Sequence, residues 1–343
     1  MLQAASLALA LVGLARWPPS LPWATSAVVA DLAALVIVGG MLAGVSAPWS
    51  WLREMPVQRV PWQWARRHLW QWMLTLATGL PVWLLFQWLQ RAAPWLVVPV
   101  SAATAVGGSL ILLAAAPWLI TWSPRVMPIA DEALAGRLHA LVGRAGLRVA
   151  GVHAWRDGAA SAEPNAALLG AGPGRRLLLS ASLLETFAVE DIDVVVAHEL
   201  GHHARGHIWR RMRAMWVVTG AGLVAAQLAA LARAALTGSA LADVRALPLI
   251  LLAAGAVALL ARPWWLTQSR AHELEADEFA LRLTGRPDVL ERILTRIGAH
   301  YRTAPDPSPF EAAFFLTHPP VRDRVTHLRT WRDERVARAA PIE

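Results

Sequence analysis

The chain contains no cysteine among its 343 residues. Disulfide bridges, thiolate metal sites and cysteine nucleophiles are thereby excluded. Lysine is absent too: all 32 basic residues are arginine, against 24 acidic ones, for a formal net charge of +8. Charge of either sign is scarce, at 16% of residues, where soluble domains carry roughly 25%. That shortage, together with a hydrophobic content of 56%, excludes both an ordinary soluble globule and a disordered chain. The composition, with a mean hydropathy of +0.41, describes a membrane protein with a sizeable aqueous part.

What is present in excess is tryptophan. Of 19 indoles, 13 fall in the first 122 residues, many at the ends of apolar runs, as at Trp49, Trp51, Trp70, Trp72, Trp118 and Trp122. Amphipathic rings favour the headgroup zone, so the pattern predicts an interfacial belt. A bilayer span needs about 20 apolar residues. Six segments qualify, at 2–17, 25–48, 71–90, 95–119, 212–234 and 246–266. The first is short, but it lacks the basic start and cleavage site of a signal peptide, which predicts a retained helix. Asp31 lies inside the second run. It is either a functional carboxylate or a residue capped near a helix end.

Arginine sets the orientation. Arg53, Arg59, Arg66, Arg67, Arg205, Arg210, Arg211 and Arg213 fall on one side of these spans, and Arg16, Arg91, Arg233 and Arg245 on the other. Positive charge stays cytoplasmic, so the polar segments 123–211 and 267–343 are expected in the cytoplasm. They flank a membrane hairpin at 212–266 and follow a membrane region at 1–122. The basic cluster reads as a topology and lipid anchor, and no nucleic-acid partner is expected. Within the first polar segment, Leu134, Leu138 and Leu141 predict an amphipathic helix over 131–147. Runs at 148–155 and 176–180 are β-like, with Gly/Pro/Asn-rich turn chemistry between them. A helical pattern starts at Glu190 and runs through His207. The second polar segment is expected to be helical, broken at Pro305–Pro309 and Pro319–Pro320.

The helix starting at Glu190 carries His198-Glu199-Leu200-Gly201-His202. Four residues turn a helix by about 400°, so the two histidines share a face. At that spacing two imidazoles can hold one Zn²⁺, and Glu199 beside them can take a proton from an activated water. A third ligand is needed. The next acidic cluster, in Ser269-Arg-Ala-His-Glu-Leu-Glu-Ala-Asp277, follows two apolar spans, which return the chain to the same side. Glu273 and Asp277 share a helix face that Glu275 does not. Glu273 is therefore the expected ligand, and Asp277 is expected to orient a ligand or the water. His203 and His207 lie off the ligand face and are expected at an interface or the surface. His272 is one helix position off.

HELGH, SRxxExxAD and Thr317-His-Pro-Pro-Val-Arg-Asp-Arg324, with Pro164-Asn165-Ala166 and Gly170 ahead of them, resemble a family. It is the integral-membrane zinc metallopeptidases that include HtpX-type proteases and CAAX prenyl endopeptidases. The resemblance covers roughly 123–330. It implies a mainly α fold: polytopic membrane helices with a gluzincin-type α+β domain carrying a small β-sheet. It implies one Zn²⁺ on His198, His202 and Glu273, with Glu199 as general base. By the same resemblance His318 stabilises the oxyanion, with Arg324 beside it, and Asn165 binds substrate backbone at an edge strand. The substrates would be proteins or peptides, and the setting the bacterial inner membrane. Four spans ahead of the catalytic segment lie between the two of HtpX-type members and the roughly five of CAAX-type ones. The substrate class therefore stays open between misfolded or membrane-associated proteins and a defined, for example lipidated, peptide. A zinc-binding scaffold without catalysis is the remaining alternative, and intact Glu199, Glu273 and His318 argue against it. A signalling metalloprotease would need a large sensor domain, which the short outside loops do not provide.

Overall fold

The protein is described by a computed structural model covering residues 84–156, 164–301 and 307–339, with 73, 81 and 82. The expected spans at 2–17 and 25–48, Asp31 and the arginines between 53 and 67 lie outside the described residues. The span expected at 71–90 is described only in part; 84–92 is helical.

Helix α1 (Val97–Thr121) is followed by strand β1 (Val126–Pro128), helix α2 (Glu132–Arg144) and strands β2 (Gly151–Trp155), β3 (Ala166–Leu169) and β4 (Arg176–Ser180). Then come α3 (Ala181–Thr186), α4 (Val189–Ala204), α5 (His207–Thr237), α6 (Leu247–Thr284), α7 (Pro287–Tyr301), α8 (Pro309–Phe314) and α9 (Val321–Ala339). Three helices, Pro94–Thr121, α5 and α6, are long and apolar enough to cross a membrane. They coincide with the apolar runs at 95–119, 212–234 and 246–266. Large apolar side chains such as Ile111, Leu112, Leu252 and Leu260 stand exposed on them, as lipid-facing residues do and core residues do not. Trp118 and Trp122, at the end of α1, are exposed as well.

By internal contacts the chain forms two units, one of 1–105 with 217–259 and one of 106–216 with 260–343. In the described part of the first, Gln90 and Gln227 exchange amide hydrogen bonds at 2.9 and 3.3 Å. Gln227 also donates to the Pro94 carbonyl. Two amides in an apolar setting thus satisfy one another, as buried polar groups must.

The second unit holds the sheet, in the order β1-β2-β4-β3. β1 runs antiparallel to β2, β2 parallel to β4, and β3 antiparallel to β4. The short β4, Arg-Leu-Leu-Leu-Ser, is almost wholly buried, which suits a central strand covered on both faces. β3 is the edge. Helix α2 starts on Asp131, whose carboxylate accepts from Leu134 N at 3.0 Å, an N-cap. The three leucines expected on its inner face are buried with Val152, Leu177, Leu179, Ile192, Val196 and Leu200. A second cluster joins Val194 of α4 and Leu281 of α6 to α7 and Leu328 of α9. Helix α4 thus lies between two cores.

Two glycines decide how α4 is used. A Cβ at Gly201 would stand 3.1 Å from Ala276 Cα and 3.2 Å from Ala276 O, so α4 and α6 cross backbone to backbone there. Gly206 has φ of 70°, a left-handed position that stops a helix. Helix α4 ends at Ala204 and α5 starts at His207. This corrects the expectation of one helix running on through His207.

Gly201→Ala tests the crossing. Better helix propensity would gain about 1 kcal/mol, but overpacking against a neighbouring backbone costs about 1–3 kcal/mol. The expected outcome is a lower unfolding midpoint and reduced metal content, by thermal denaturation and metal analysis. A variant as stable and metal-rich as the parent would mean that the helices part without cost.

Candidate metal centre

The crossing of α4 and α6 places the expected residues together. His198 Nε2 and His202 Nε2 lie 3.2 Å apart. Glu273 Oε2 is 3.5 Å from His198 Nε2, and Glu273 Oε1 is 3.5 Å from His202 Nε2. Among the described residues these three form the one group of candidate ligand atoms, all within 4.8 Å of each other. Ligands about 2.0–2.1 Å from a tetrahedral zinc stand roughly 3.3–3.4 Å apart. The spacing found here fits.

The donor set fits as well. His198 Nδ1 donates to Asp277 Oδ1 at 2.9 Å. His202 Nδ1 meets His207 Nδ1 at 2.9 Å, and His207 Nε2 meets Glu275 Oε2 at 3.0 Å. The carboxylate accepts, so His207 carries its proton on Nε2 and accepts at Nδ1 from His202. Both ligand histidines are thereby set in the tautomer that leaves Nε2 with a lone pair. Two such lone pairs facing each other beside a carboxylate call for a positive charge between them, a proton or a metal ion.

Electrostatics agree. Burial pulls the His198 ring toward its neutral form, but Asp277 and Glu273 outweigh that pull and raise its pKa to about 10. Burial, with His198 beside it, holds His202 down to about 3. Burial lifts the Glu199 carboxyl above its ordinary value, which makes it a better proton acceptor once ionised. Among the described residues the Glu199 side chain makes no hydrogen bond.

The remaining expected residues divide. Asp277 is fully buried and takes two hydrogen bonds from Arg324, Nε to Oδ2 at 2.7 Å and Nη2 to Oδ1 at 2.6 Å. Arg324 Nη1 is 3.8 Å from Glu273 Oε2. The guanidinium is thus engaged with the carboxylates behind the ligands, and it shares Glu273 Oε2 with His318. His318 Nδ1 lies 2.8 Å from Glu273 Oε2, with its side chain 64% exposed. Asn165 directly precedes the edge strand. Its N–H donates to Ser180 Oγ and its carbonyl accepts from Ser180 N, so its exposed side chain is left over. β3 packs against α4. His203 Nε2 donates to the Leu168 carbonyl of that strand at 2.7 Å, and its Nδ1 accepts from Arg175 Nε at 3.1 Å.

Sequence reasoning missed His207. Projected along a continuous helix it pointed away from His198. The turn at Gly206 instead brings it, 1% exposed, against His202. A Gly just past a helical run followed by a fresh apolar run was the available signal.

Comparison with known proteins places the chain in a family. Residues 132–332 match the model of peptidase family M48. The "Protease HtpX homolog" of Janthinobacterium sp. (strain Marseille) is 27% identical over 245 residues, which is 65% of this chain and 82% of that protein. The "Uncharacterized metalloprotease YhfN" of Bacillus subtilis (strain 168) is 24% identical over 168 residues, 48% of this chain, and the match spans only 39% of that protein's length. The crystal structure of S. mikatae Ste24p superposes with a TM-score of 0.77 at 18% identity, over 94% of this chain and 80% of that one; the likeness is one of fold. A match that takes in the HExxH helix, the third acidic position and the helix after the double proline shows that the chain belongs to peptidase family M48.

Proposed function

We propose that the protein is a membrane-embedded zinc endopeptidase cleaving membrane-associated or misfolded proteins at the cytoplasmic face, in a bacterial inner membrane. The observation that carries this reading is the His198–His202–Glu273 cluster at tetrahedral spacing with Glu199 unbonded beside it. Zinc suits two imidazoles and a carboxylate with one position left open. The orientation rests on the arginine asymmetry of the loops, and the choice of substrate class on the HtpX homolog among the relatives.

Bound zinc would polarise the scissile carbonyl and acidify water. Glu199 would take the water proton and pass it to the leaving amine. An extended peptide would add to the exposed edge of β3, with the Asn165 side chain free to hold its backbone. His318 would donate to the developing oxyanion. Its Nδ1 is already turned to Glu273, so that donation uses Nε2 of a doubly protonated ring or a rotation of the ring. Asp277 and Arg324 would position His198 and Glu273.

The deciding experiment is casein cleavage by detergent-purified protein beside Glu199→Gln. The variant is expected to retain zinc and to lose activity at least about 10²–10⁴-fold, as removal of a general base does. Full activity would remove Glu199 from the reaction, and zinc-loaded parent protein that cuts no peptide would favour a scaffold. Zinc content separates the two acidic residues of α6. Glu273→Ala should abolish stoichiometric zinc, whereas Glu275→Ala, acting through His207, should weaken binding by about 10–100-fold. Equal losses would mean that Glu273 is not a ligand.

Chelated protein should also show a pH signature. The His198 pKa is raised to about 10 in the folded state from an unfolded value of about 6.5. Its contribution to stability is complete below the unfolded value and is lost as pH rises through the folded one. The unfolding midpoint of EDTA-treated protein should therefore fall from pH 6.5 to 10. Zinc should flatten that fall, since the ion replaces the proton. A midpoint independent of pH without metal would contradict the protonated ring.

A further inference from the structure

Arg270 stands three residues before Glu273 on α6, where an i,i+3 ion pair could form. Its guanidinium is engaged elsewhere. Nη1 donates to the carbonyls of Ala312 and Leu316, the latter at 3.1 Å, and Nη2 donates to Thr267 Oγ1 at 2.9 Å. Ala312 lies in α8 and Leu316 just beyond its end. The last carbonyls of a helix have no partner within it, and a basic side chain is a fitting donor there. A second arginine of α6, Arg262, donates to the Phe314 carbonyl at the same helix end. The other end of α8 is closed by its own capping box, Ser308 with Glu311.

The segment that follows, Leu316-Thr-His-Pro-Pro320, joins α8 to α9 and carries His318. It is short and stiff. Each proline fixes its own φ and pushes the residue before it, here His318 and Pro319, toward extended backbone. Pro319 is buried. The Pro320 carbonyl accepts from the N–H groups of Asp323 and Arg324 in the first turn of α9, and the Arg324 side chain binds Asp277. The segment is therefore tied to α6 on both sides, at Leu316 through Arg270 and through α9 at Asp277. Arg270 and Asp277 lie three residues before and four after Glu273, on one helix face within about 60°. Between the two ties, His318 Nδ1 meets Glu273 Oε2 at 2.8 Å, although its side chain is 64% exposed. So exposed a ring has few neighbours to hold it, and its place depends on where its backbone is pinned.

We propose that Arg270 is a positioning residue of this site, which sets His318 against Glu273 by holding the Leu316 carbonyl two residues upstream. The inference deepens the peptidase reading and rests on it for the part His318 plays at the oxyanion. Arg270 bonds two carbonyls and a hydroxyl, so it acts through His318 and not on the reacting atoms. A donor misplaced by about 1 Å can cost about 10²-fold in rate, which makes the anchor of so short a segment part of how the site works.

Because the chain has no cysteine, one introduced cysteine takes a nitroxide label at a single place. Thr317→Cys, exposed beside His318, is labelled in detergent-purified full-length protein, with Arg270 intact and with Arg270→Gln. Asp333→Cys, exposed on α9, is the control. Arg262 still holds the end of α8 in the variant, so the helix is expected to stay docked. The label at 317 is expected to be restricted in the parent and mobile in the variant, with no change at 333 and no loss of zinc. Casein cleavage by the unlabelled proteins reads the consequence. Arg270→Gln should lower kcat about tenfold or more and leave KM within about twofold. His318→Ala alone should cost about 10²–10³-fold, and adding Arg270→Gln to it no more than about twofold further, since both act on one group. Full activity of Arg270→Gln, or losses that multiply, would overturn the link to His318. An unchanged label at 317, or zinc lost in step with activity, would overturn the anchoring. A parent that cuts nothing would sink the peptidase reading by itself; a label freed at 317 would then still support the anchoring, and an unchanged one would overturn both.

Discussion

Everything at the metal centre depends on how closely two helices approach at Gly201 and Ala276. Ligand atoms from α4 and α6 stand 3.5 Å apart, and the two backbones meet beside them with no side chain between. With no side chain at Gly201, the α6 backbone settles against α4 one helix position before His202. His198 and His202 then flank the contact on one helix, and Glu273 and Asp277 flank Ala276 on the other. The short Leu-Gly between Glu199 and the second histidine is therefore part of the centre, although it bears no functional group.

Around that contact the charges are arranged in a chain of constraint. Arg324 grips Asp277, Asp277 holds His198, and Arg210 with Glu275 holds His207 against His202. Glu273, Asp277 and Arg324 each have a partner of opposite sign or a hydrogen bond, which is the condition under which buried charge is tolerated. The ligand nitrogens are thus aimed from behind by residues on α5, α6 and α9. Rigid support of this kind separates a site that holds geometry from one that merely contains the right residues.

Much of this was legible in the sequence because it follows from helical periodicity. The face shared by His198 and His202, the choice of Glu273 over Glu275 and the place of Asp277 all come from counting residues around a helix, and the structure puts each where the count says. The inner face of α2 was legible for the same reason. What was not legible depends on where a helix stops or on long-range contacts. The three residues of β1 are too few to carry a period. The partner of His202 on α5 needed the turn at Gly206, and the partner of Asp277 on α9 needed the packing of that helix. Arg324 could be matched to a motif, but only the fold shows its guanidinium engaged with Asp277.

The hydrogen bond from His203 to Leu168 bears on a different hazard. An unpaired strand edge invites another copy of the chain as readily as a peptide. β3 offers only four residues, and one carbonyl of that short edge is already occupied by an imidazole anchored on the next helix. A long flat strand from a neighbour finds too little free backbone to propagate a sheet, while a single flexible segment still finds the stretch nearest Asn165. His203, off the face of the metal ligands, thereby shortens the edge left free for pairing.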